Sequence, residues 1–217
     1  MGELDPQAVI PRSLVEAVGD LPYWFVIGGQ AVRCFCPYRP SRDVDFGVPA
    51  AADLDDFLRR LESRGSVEIG ERTSDTVHLR FDGIRVSVFV LGRLATHVAN
   101  RRLDTTGVLA TKLHAILDRG TRRDFFDLYV MLELRSLGIA SCLAAMREVF
   151  EQRVNESLLL RALTYFDDAE AEAPLPGEGP KDWATVKHYF LTTVGSLLVP
   201  PARTLDIQKR VVDVREG

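Results

Sequence analysis

Residues 24–48 read WFVIGGQAVRCFCPYRPSRDVDFGV, and the expected arrangement of the whole chain is built outward from this segment. An apolar run ends in two glycines, a short amphipathic stretch follows, and a second apolar run then carries two aspartates. The pattern predicts a strand over 24–27, a short helix after it, and a second strand over 43–48. Because alternate residues of a strand point to the same face, Asp43 and Asp45 project together, away from the core.

The residues that follow continue the alternation of helices and strands. Apolar residues at helical spacing predict a helix over 52–64. Two segments of alternating polar and apolar residues, 76–81 and 84–90, flank an Asp-Gly dipeptide, which is the strongest short signal for a β-hairpin. We therefore expect a small mixed sheet with helices in the first half of the chain.

From about residue 105 onward the pattern becomes helical. Gly120 separates two predicted helices, and an acidic stretch rich in proline and glycine near 167–180 predicts an exposed linker. The expected fold class is therefore α/β (α+β). A small mixed-sheet core over residues 1–104 is followed by a C-terminal helical domain over residues 105–217.

Composition limits the classes of function. The chain has 217 residues, of which 46% are hydrophobic, enough to bury a core. Its 31 acidic and 27 basic residues give a net charge of −4, so an RNA partner would need a local basic patch. Three unpaired cysteines, no basic leader and no apolar run of about 18 residues predict a cytoplasmic protein that has reduced thiols and does not enter a membrane.

The two aspartates need a counter-charge. Two carboxylates this close on one strand face repel each other, and a hard divalent ion such as Mg²⁺, held by carboxylates together with phosphate oxygens, relieves the repulsion. Asp43 and Asp45 are therefore candidate metal ligands. The alternative is that they lie on a solvated edge or pair with Arg39 or Arg42.

Gly28 and Gly29 end the first predicted strand where the helix begins. Glycine lets the backbone approach a ligand closely, and the free N–H groups at a helix N-terminus favour phosphate. The alternative is a tight turn without a ligand. Taken together with the aspartate pair on the next strand, the glycines predict the opposite wall of a nucleoside triphosphate site.

A third segment, TKLHAILDRGTRRDFFDLYVML at residues 111–132, places Lys112 and Arg119 on one face of a helix. A lysine and an arginine aimed in the same direction suit phosphate charge. Thr121 and Asp124 have the spacing of a capping box at the start of the next helix. Considered singly, each of these residues could equally be structural.

Three further polar residues have plain structural interpretations. Asp127 lies four residues from Arg123 and could form an exposed ion pair with it. His78 and His114 are isolated in the sequence, so we expect hydrogen-bonded structural roles for them rather than zinc ligation.

The two motifs together resemble a known family. The segment from the glycine pair through Arg39 to Ser41-Arg42-Asp43-Val44-Asp45-Phe46 resembles the first motif of the polymerase-beta-like nucleotidyltransferase superfamily. The segment KLHAILDRGTRRDFFDLYVM is similar to the K-x-x-A-x-x-x-R…R-D-x-x-D-L block of the AbiEii/AbiGii toxins, the nucleotidyltransferases of abortive-infection and toxin-antitoxin systems. Both motifs occur in the order of the family, over residues 20–135.

The resemblance implies a role for each matching residue. Asp43 and Asp45 would bind Mg²⁺, and Asp124, with Asp127 as a second candidate, would complete the catalytic site beside Lys112 as base or orienting group. The nucleotide-binding residues expected are Gly28, Gly29, Arg39, Arg42, Lys112 and Arg119.

The implied reaction is attack of an acceptor hydroxyl on the α-phosphorus of a nucleoside triphosphate, with release of pyrophosphate. The acceptor expected from related toxins is tRNA, and a cognate antitoxin is the expected protein partner. One alternative is a transferase that modifies a small molecule such as an antibiotic. Another is a nucleotide-binding regulator without catalytic activity.

Two features discriminate these alternatives. Ser87 occupies the strand position where many members of the superfamily carry a third carboxylate. The absence of an acid at this position favours the nucleotide-binding regulator without catalytic activity. A tRNA acceptor predicts a continuous basic surface that joins the cleft to four arginines, whereas a small acceptor predicts a closed apolar pocket lined from the helical domain. The four arginines are Arg101, Arg102, Arg122 and Arg123.

Overall fold

The computed structural model describes residues 3–41, 43–150 and 155–198, and these form ten α-helices and seven strands. The helices are α1 (Pro6–Val9), α2 (Arg12–Val18), α3 (Gly28–Phe35), α4 (Ala51–Glu62), α5 (Thr105–Asp118), α6 (Arg122–Arg135), α7 (Ile139–Phe150), α8 (Glu156–Ala162), α9 (Asp167–Glu170) and α10 (Asp182–Leu198). The strands are β1 (Phe25–Val26), β2 (Val44–Val48), β3 (Val67–Arg72), β4 (Thr76–Phe81), β5 (Ile84–Val90), β6 (Val98–Ala99) and β7 (Arg102–Leu103), and a 3₁₀ helix spans Gly92–His97.

The strands form one mixed sheet in the order β3-β4-β5-β2-β1-β7-β6. Strand β2 pairs with β5 in parallel and with β1 in antiparallel orientation, and β4 and β5 form the predicted hairpin. Asp82 and Gly83 in its turn have φ of 48° and 81°, the left-handed backbone that this dipeptide accommodates. The fold class expected from the sequence is confirmed.

The central strands have one apolar and one polar face. Phe46 of β2 is fully buried against α4, where its ring centroid lies 5.0 Å from that of Phe57. Its neighbour Asp45 points to the other face, as the alternation predicted. On that face Ser87 of β5 is the register partner of Asp45, and His78 of β4 is the register partner of Ser87.

Helix α5 joins the sheet to the helical half of the chain. It packs against α6, α7 and α8, and also against α3 and β7 of the first half. Behind α5, the ring of Phe125 packs against three other rings. Its centroid distances are 5.1 Å to Phe166, 5.9 Å to Trp183 and 5.5 Å to Phe190. This aromatic cluster holds α6, α9 and α10 together. The division into two domains at residue 104 stays a prediction.

Residues 167–180, for which an exposed linker was predicted, are mostly exposed and include a short helix. They contain α9, whose Ala169 is buried, and α9 packs against α6. Glu178 forms an ion pair with Arg122, and the Arg122 guanidinium lies 4.7 Å from the Trp183 ring centroid. The acidic residues of this segment predicted exposure to solvent, but one of them, Glu178, pairs with the buried guanidinium of Arg122.

All three cysteines are free thiols, as the sequence predicted. Within the described residues, no single helix combines the length and the apolar composition of a membrane span. One pair, α6 and α7, bent by 106° at their junction, meets those two criteria only when the two helices are taken together.

We predict that Gly47→Ala destabilises the fold. A Cβ at this position of β2 would lie 2.3 Å from the buried Phe25 ring, so the ring must move within a packed core. Overpacking of this kind costs about 1–3 kcal/mol of the unfolding free energy, measurable by urea denaturation. The matched control is Gly195→Ala in α10, where a Cβ meets nothing within 4 Å. It should be neutral or stabilising by up to about 1 kcal/mol, and equal losses in the two variants would contradict the packing argument.

Candidate active site

A cavity of about 860 Å³ lies between the polar face of the sheet and the helical half. Asp43, Asp45 and Ser87 line it from the sheet, and Lys112 and Arg119 line it from α5. The structure therefore brings the residues of the two sequence motifs to one place.

Asp43 lies directly before β2 rather than inside it, and it still lines the cavity. Its Oδ1 accepts a hydrogen bond from Arg85 Nε at 2.6 Å, and Arg123 Nη1 lies 3.5 Å from its Oδ2. Both arginines are well exposed, so these ion pairs are weak in water and leave the carboxylate available. Arg39, the partner considered from the sequence, contacts a different carboxylate, and Arg42 lies outside the described residues.

Asp45 is the more deeply placed of the two carboxylates. Among the described residues, no side chain donates a hydrogen bond to it. Burial raises the pKa of Asp45 above its usual value, and the positive charge of Lys112 opposes this rise. A desolvated carboxylate without a donor is costly, so the position favours a bound cation.

The glycine pair fits closely against this carboxylate. Helix α3 begins at Gly28, whose φ is +60°, and a Cβ there would lie 2.6 Å from Asp45 Oδ2. Ile27, the N-cap residue, donates its backbone N–H to the Asp45 carbonyl at 3.0 Å. At Gly29 a Cβ would lie 3.1 Å from Arg39 Nη2. No described side chain caps the helix, and its first N–H groups have no hydrogen-bond partner among the described residues.

Lys112 is held by two buried carboxylates. Its Nζ donates to Asp127 Oδ2 at 2.6 Å and lies 3.3 Å from Asp124 Oδ1. Asp127 also accepts hydrogen bonds from Arg39, at 2.7 and 3.0 Å, and from the Tyr38 hydroxyl at 2.6 Å. The exposed Asp127–Arg123 ion pair considered from the sequence is therefore wrong, because Asp127 is fully buried.

Asp124 occupies the other side of the Lys112 ammonium. Arg119 donates to both of its oxygens, at 2.8 and 3.1 Å, and the Thr121 hydroxyl donates to it as well. Burial alone would raise the pKa of Asp124, but the charges of Lys112 and Arg119 outweigh it and hold that pKa far below its usual range. The predicted capping box does not form, because the Thr121 hydroxyl faces the carboxylate instead of a helix N–H.

Three predicted site residues lie behind the cavity rather than in its lining. Arg39, Asp124 and Asp127 belong to the buried ion network, and their side chains are occupied by each other and by Lys112 and Arg119. Arg39 as a nucleotide contact, and the two aspartates as base or orienting group, stay predictions. Their place in the structure is to hold Lys112 and Arg119 toward the cavity.

The continuous basic surface considered from the sequence is not found in the described part of the chain. Arg101 donates to a backbone carbonyl and lies 4.6 Å from the Trp24 ring centroid. Arg102 pairs with Glu3, and Arg122 is buried beside Trp183. Of the four arginines proposed for such a surface, Arg123 alone lines the cavity.

Some cavity residues were missed or misassigned from the sequence. No role was predicted for Arg85, and Arg123 was considered as a partner of Asp127 and as part of an RNA surface, yet both contact Asp43. Strand alternation was the available signal for Arg85. His78 is hydrogen-bonded as expected, with its Nδ1 at 3.0 Å from Ser87 Oγ, but it lies inside the cavity.

We predict that Asp127→Asn destabilises the protein by about 3–5 kcal/mol, because it leaves Lys112 and Arg39 buried with too little negative charge. Urea denaturation at neutral pH measures the loss. The exposed Asp168→Asn variant is the control, with an expected change within about 0.5 kcal/mol. A loss below about 1 kcal/mol in Asp127→Asn would show that the network is not desolvated as described.

Acid should weaken the fold through the same network. The folded pKa values of Asp124 and Asp127 lie below their usual value of 3.8, so their stabilisation is present above about pH 4. It is lost as the pH falls below about 4 toward the folded values. Unfolding free energies measured from about pH 5 to about pH 2.5 should fall steeply for the wild type and for Asp168→Asn, and less steeply for Asp127→Asn. If the unfolding free energies of the wild type and Asp127→Asn fall in parallel with pH, the network does not contribute to the loss of stability in acid.

Part of the sequence matches a known family, and most of it is similar to another protein. Residues 101–204 match the family described as nucleotidyl transferase AbiEii toxin, type IV TA system. An uncharacterized protein of Aquifex aeolicus (strain VF5) is 23% identical over 193 residues, which cover 85% of this chain and 92% of that protein.

Two crystal structures from Helicobacter pylori, of a putative nucleotidyltransferase and of the protein JHP933, each match with a TM-score of 0.54 at 16% identity. Each match covers 86% of this chain, and 92% and 89% of the respective structures. At this identity the likeness shows the fold. The resemblance seen in the two sequence motifs is thereby confirmed: the chain has a nucleotidyltransferase fold, and its residues 101–204 match the AbiEii nucleotidyltransferase toxin family.

Proposed function

We propose that this protein is a Mg²⁺-dependent nucleotidyltransferase that moves a nucleoside monophosphate from a nucleoside triphosphate to an acceptor hydroxyl. The observation that carries the proposal is the half-buried, desolvated Asp45 carboxylate, which receives no hydrogen bond from a described side chain. It lies on one cavity wall with Asp43 and against the start of α3 at Gly28. A cation bound by both carboxylates would satisfy Asp45 and attract a triphosphate.

The residues present fit a magnesium ion that shares its coordination with substrate. Within the described residues, no group of three or more His, Cys, Asp and Glu side chains could enclose a metal ion by itself. Mg²⁺ typically uses one or two carboxylates and completes its shell with phosphate oxygens and water. Asp43 and Asp45 would hold it, and it would supply charge stabilisation at the reacting phosphate.

The chain's own groups would do the remaining work on the triphosphate. The N–H groups at Gly28 would donate to phosphate oxygens, and Lys112, Arg119 and Arg123 would present positive charge across the cavity. The hydroxyl oxygen would form a bond to the α-phosphorus while the bond to pyrophosphate breaks. Catalysis by such a site rests on positioning and on prearranged charge, which the buried network behind Lys112 supports.

Transfer to tRNA is the acceptor chemistry that we propose first, as the activity of a toxin that acts in the cytoplasm and is controlled by an antitoxin. The family description of residues 101–204 as a toxin of a TA system supports that role. Phosphate contacts for an RNA end would come from Arg123 and Arg85, which are exposed at the cavity.

A small hydroxyl compound is the second candidate acceptor. Three of the four arginines considered for an RNA surface are engaged in contacts within the protein, and Leu91, Leu94 and Phe150 give the cavity an apolar wall. An apolar wall with a few polar groups is typical of small-molecule sites. A catalytically silent nucleotide binder remains the outcome if neither acceptor is modified.

The test is incubation of the purified protein with Mg²⁺ and each α-labelled nucleoside triphosphate, with and without total tRNA. Label on RNA would support the first proposal. Pyrophosphate release stimulated by a hydroxyl compound library, without labelled RNA, would support the second. Nucleotide binding without any turnover would leave the silent binder, and absence of both binding and turnover would sink the proposal. Induced expression should arrest bacterial growth with the wild type and not with Asp43→Ala/Asp45→Ala.

We predict opposite effects of Asp45→Asn on stability and on transfer. The variant removes a half-buried charge that receives no hydrogen bond from a described side chain, so its metal-free unfolding free energy should equal or exceed that of the wild type. Its rate of transfer should fall about 10²–10³-fold. Mg²⁺ with nucleotide should raise the melting midpoint of the wild type and of Asp168→Asn, but not that of Asp45→Asn. A melting shift retained in Asp45→Asn would exclude this residue as a metal ligand.

A further inference from the structure

The proposed transfer needs a group that accepts the proton of the attacking hydroxyl. Asp43 and Asp45 are assigned to the metal, while Asp124 and Asp127 are buried and ion-paired behind the cavity. Four other acidic or histidine side chains line the cavity among the described residues, and the proposed function gives them no role. They are Glu68, His78, His114 and Asp118.

The sheet register singles out His78 from this group. Ser87 is the parallel register partner of Asp45, and His78 is the antiparallel register partner of Ser87. Neighbouring strands lie about 4.8 Å apart, so the His78 backbone is roughly 10 Å from that of Asp45, with their side chains on the same face. A reacting phosphate near Asp45 would therefore lie within reach of the imidazole and a bound hydroxyl.

Two contacts orient the exposed imidazole of His78. Its Nδ1 is 3.0 Å from Ser87 Oγ, and its ring meets the ring of Phe89 edge-on at a centroid distance of 5.6 Å. No described side chain hydrogen-bonds to its Nε2. When Nδ1 carries the proton and donates it to Ser87, Nε2 has a free lone pair directed away from the strand.

The other three groups are placed less favourably. Glu68 lies on β3, two strands beyond β5, as the register partner of Arg80. His114 lies on α5, where its ring packs at 5.2 Å from that of Phe150. Asp118 ends α5 and is exposed. None of them is connected to Asp45 through a register neighbour.

We propose that His78 is the catalytic base of the transfer, oriented by Ser87. The inference rests on the proposed function. As the acceptor oxygen bonds to the α-phosphorus, its proton moves to His78 Nε2, and the bond to pyrophosphate breaks with its electron pair. The imidazolium formed then loses the proton to water, which restores the site.

The test compares His78→Gln, His78→Ala and the matched control His188→Gln, whose histidine is exposed on α10 and outside the cavity. Each is assayed for pyrophosphate release with labelled nucleoside triphosphate and Mg²⁺, with total tRNA and with water alone as acceptor. Nucleotide binding is measured by calorimetry on the same preparations, and added imidazole tests rescue. His78 is exposed, so both variants should fold, and circular dichroism verifies it.

Both His78 variants should lose about 10²–10⁴-fold in kcat, the scale of general-base catalysis, with nucleotide affinity unchanged. Imidazole should restore part of the activity of His78→Ala and none of that of His188→Gln, which keeps the wild-type rate. The base role is overturned if kcat stays within threefold in His78→Gln, if imidazole does not rescue His78→Ala, or if affinity falls as much as kcat. A wild type that binds nucleotide but turns nothing over overturns the transferase proposal itself, which the wild-type assay alone reveals.

Discussion

The burial of the Lys112 ammonium between Asp124 and Asp127 is the interaction on which the site depends. A charge taken out of water costs several kcal/mol unless opposite charges and hydrogen bonds compensate it. Helices α5 and α6 therefore cannot slide past each other without leaving an ion uncompensated. Arg39 enters the same network through Asp127. Its guanidinium also lies close to Gly29, so the glycine end of α3 is fixed relative to both helices.

This network explains why residues that resemble ligand contacts are found behind the cavity. A long cationic side chain has many rotamers, and a triphosphate would have to order it on binding. Asp124 removes that freedom from Arg119 by accepting hydrogen bonds from its Nε and Nη2, and Asp127 does the same for Lys112 by accepting one from its Nζ. The two acids thus contribute to a site they do not line, and their depressed pKa values keep them charged at neutral pH.

The sequence predicted those parts of the site that depend on local geometry. Strand alternation correctly placed Asp45 on the face opposite Phe46, and the Asp-Gly dipeptide correctly marked the hairpin. It could not find the partners of Asp127, because helical spacing proposed Arg123, four residues away, whereas Lys112 is 15 residues away and Arg39 is 88 residues away. A pairing between distant segments is decided by how helices dock, and no local period records that. Strand alternation indicates the face on which Arg85 lies, but not its contact with Asp43, which is 42 residues away.

The charge balance of the cavity explains why a serine rather than a carboxylate suits position 87. Among the described residues, five arginines and lysines and four acids line the cavity, so a protein of net charge −4 has a slightly cationic site. A third carboxylate beside Asp45 would cancel that excess and repel a triphosphate until a metal arrived. A serine at this register position leaves the balance positive, and its hydroxyl can orient the imidazole of His78 on the next strand. The proton acceptor is then supplied without added negative charge, one strand away from the metal carboxylates.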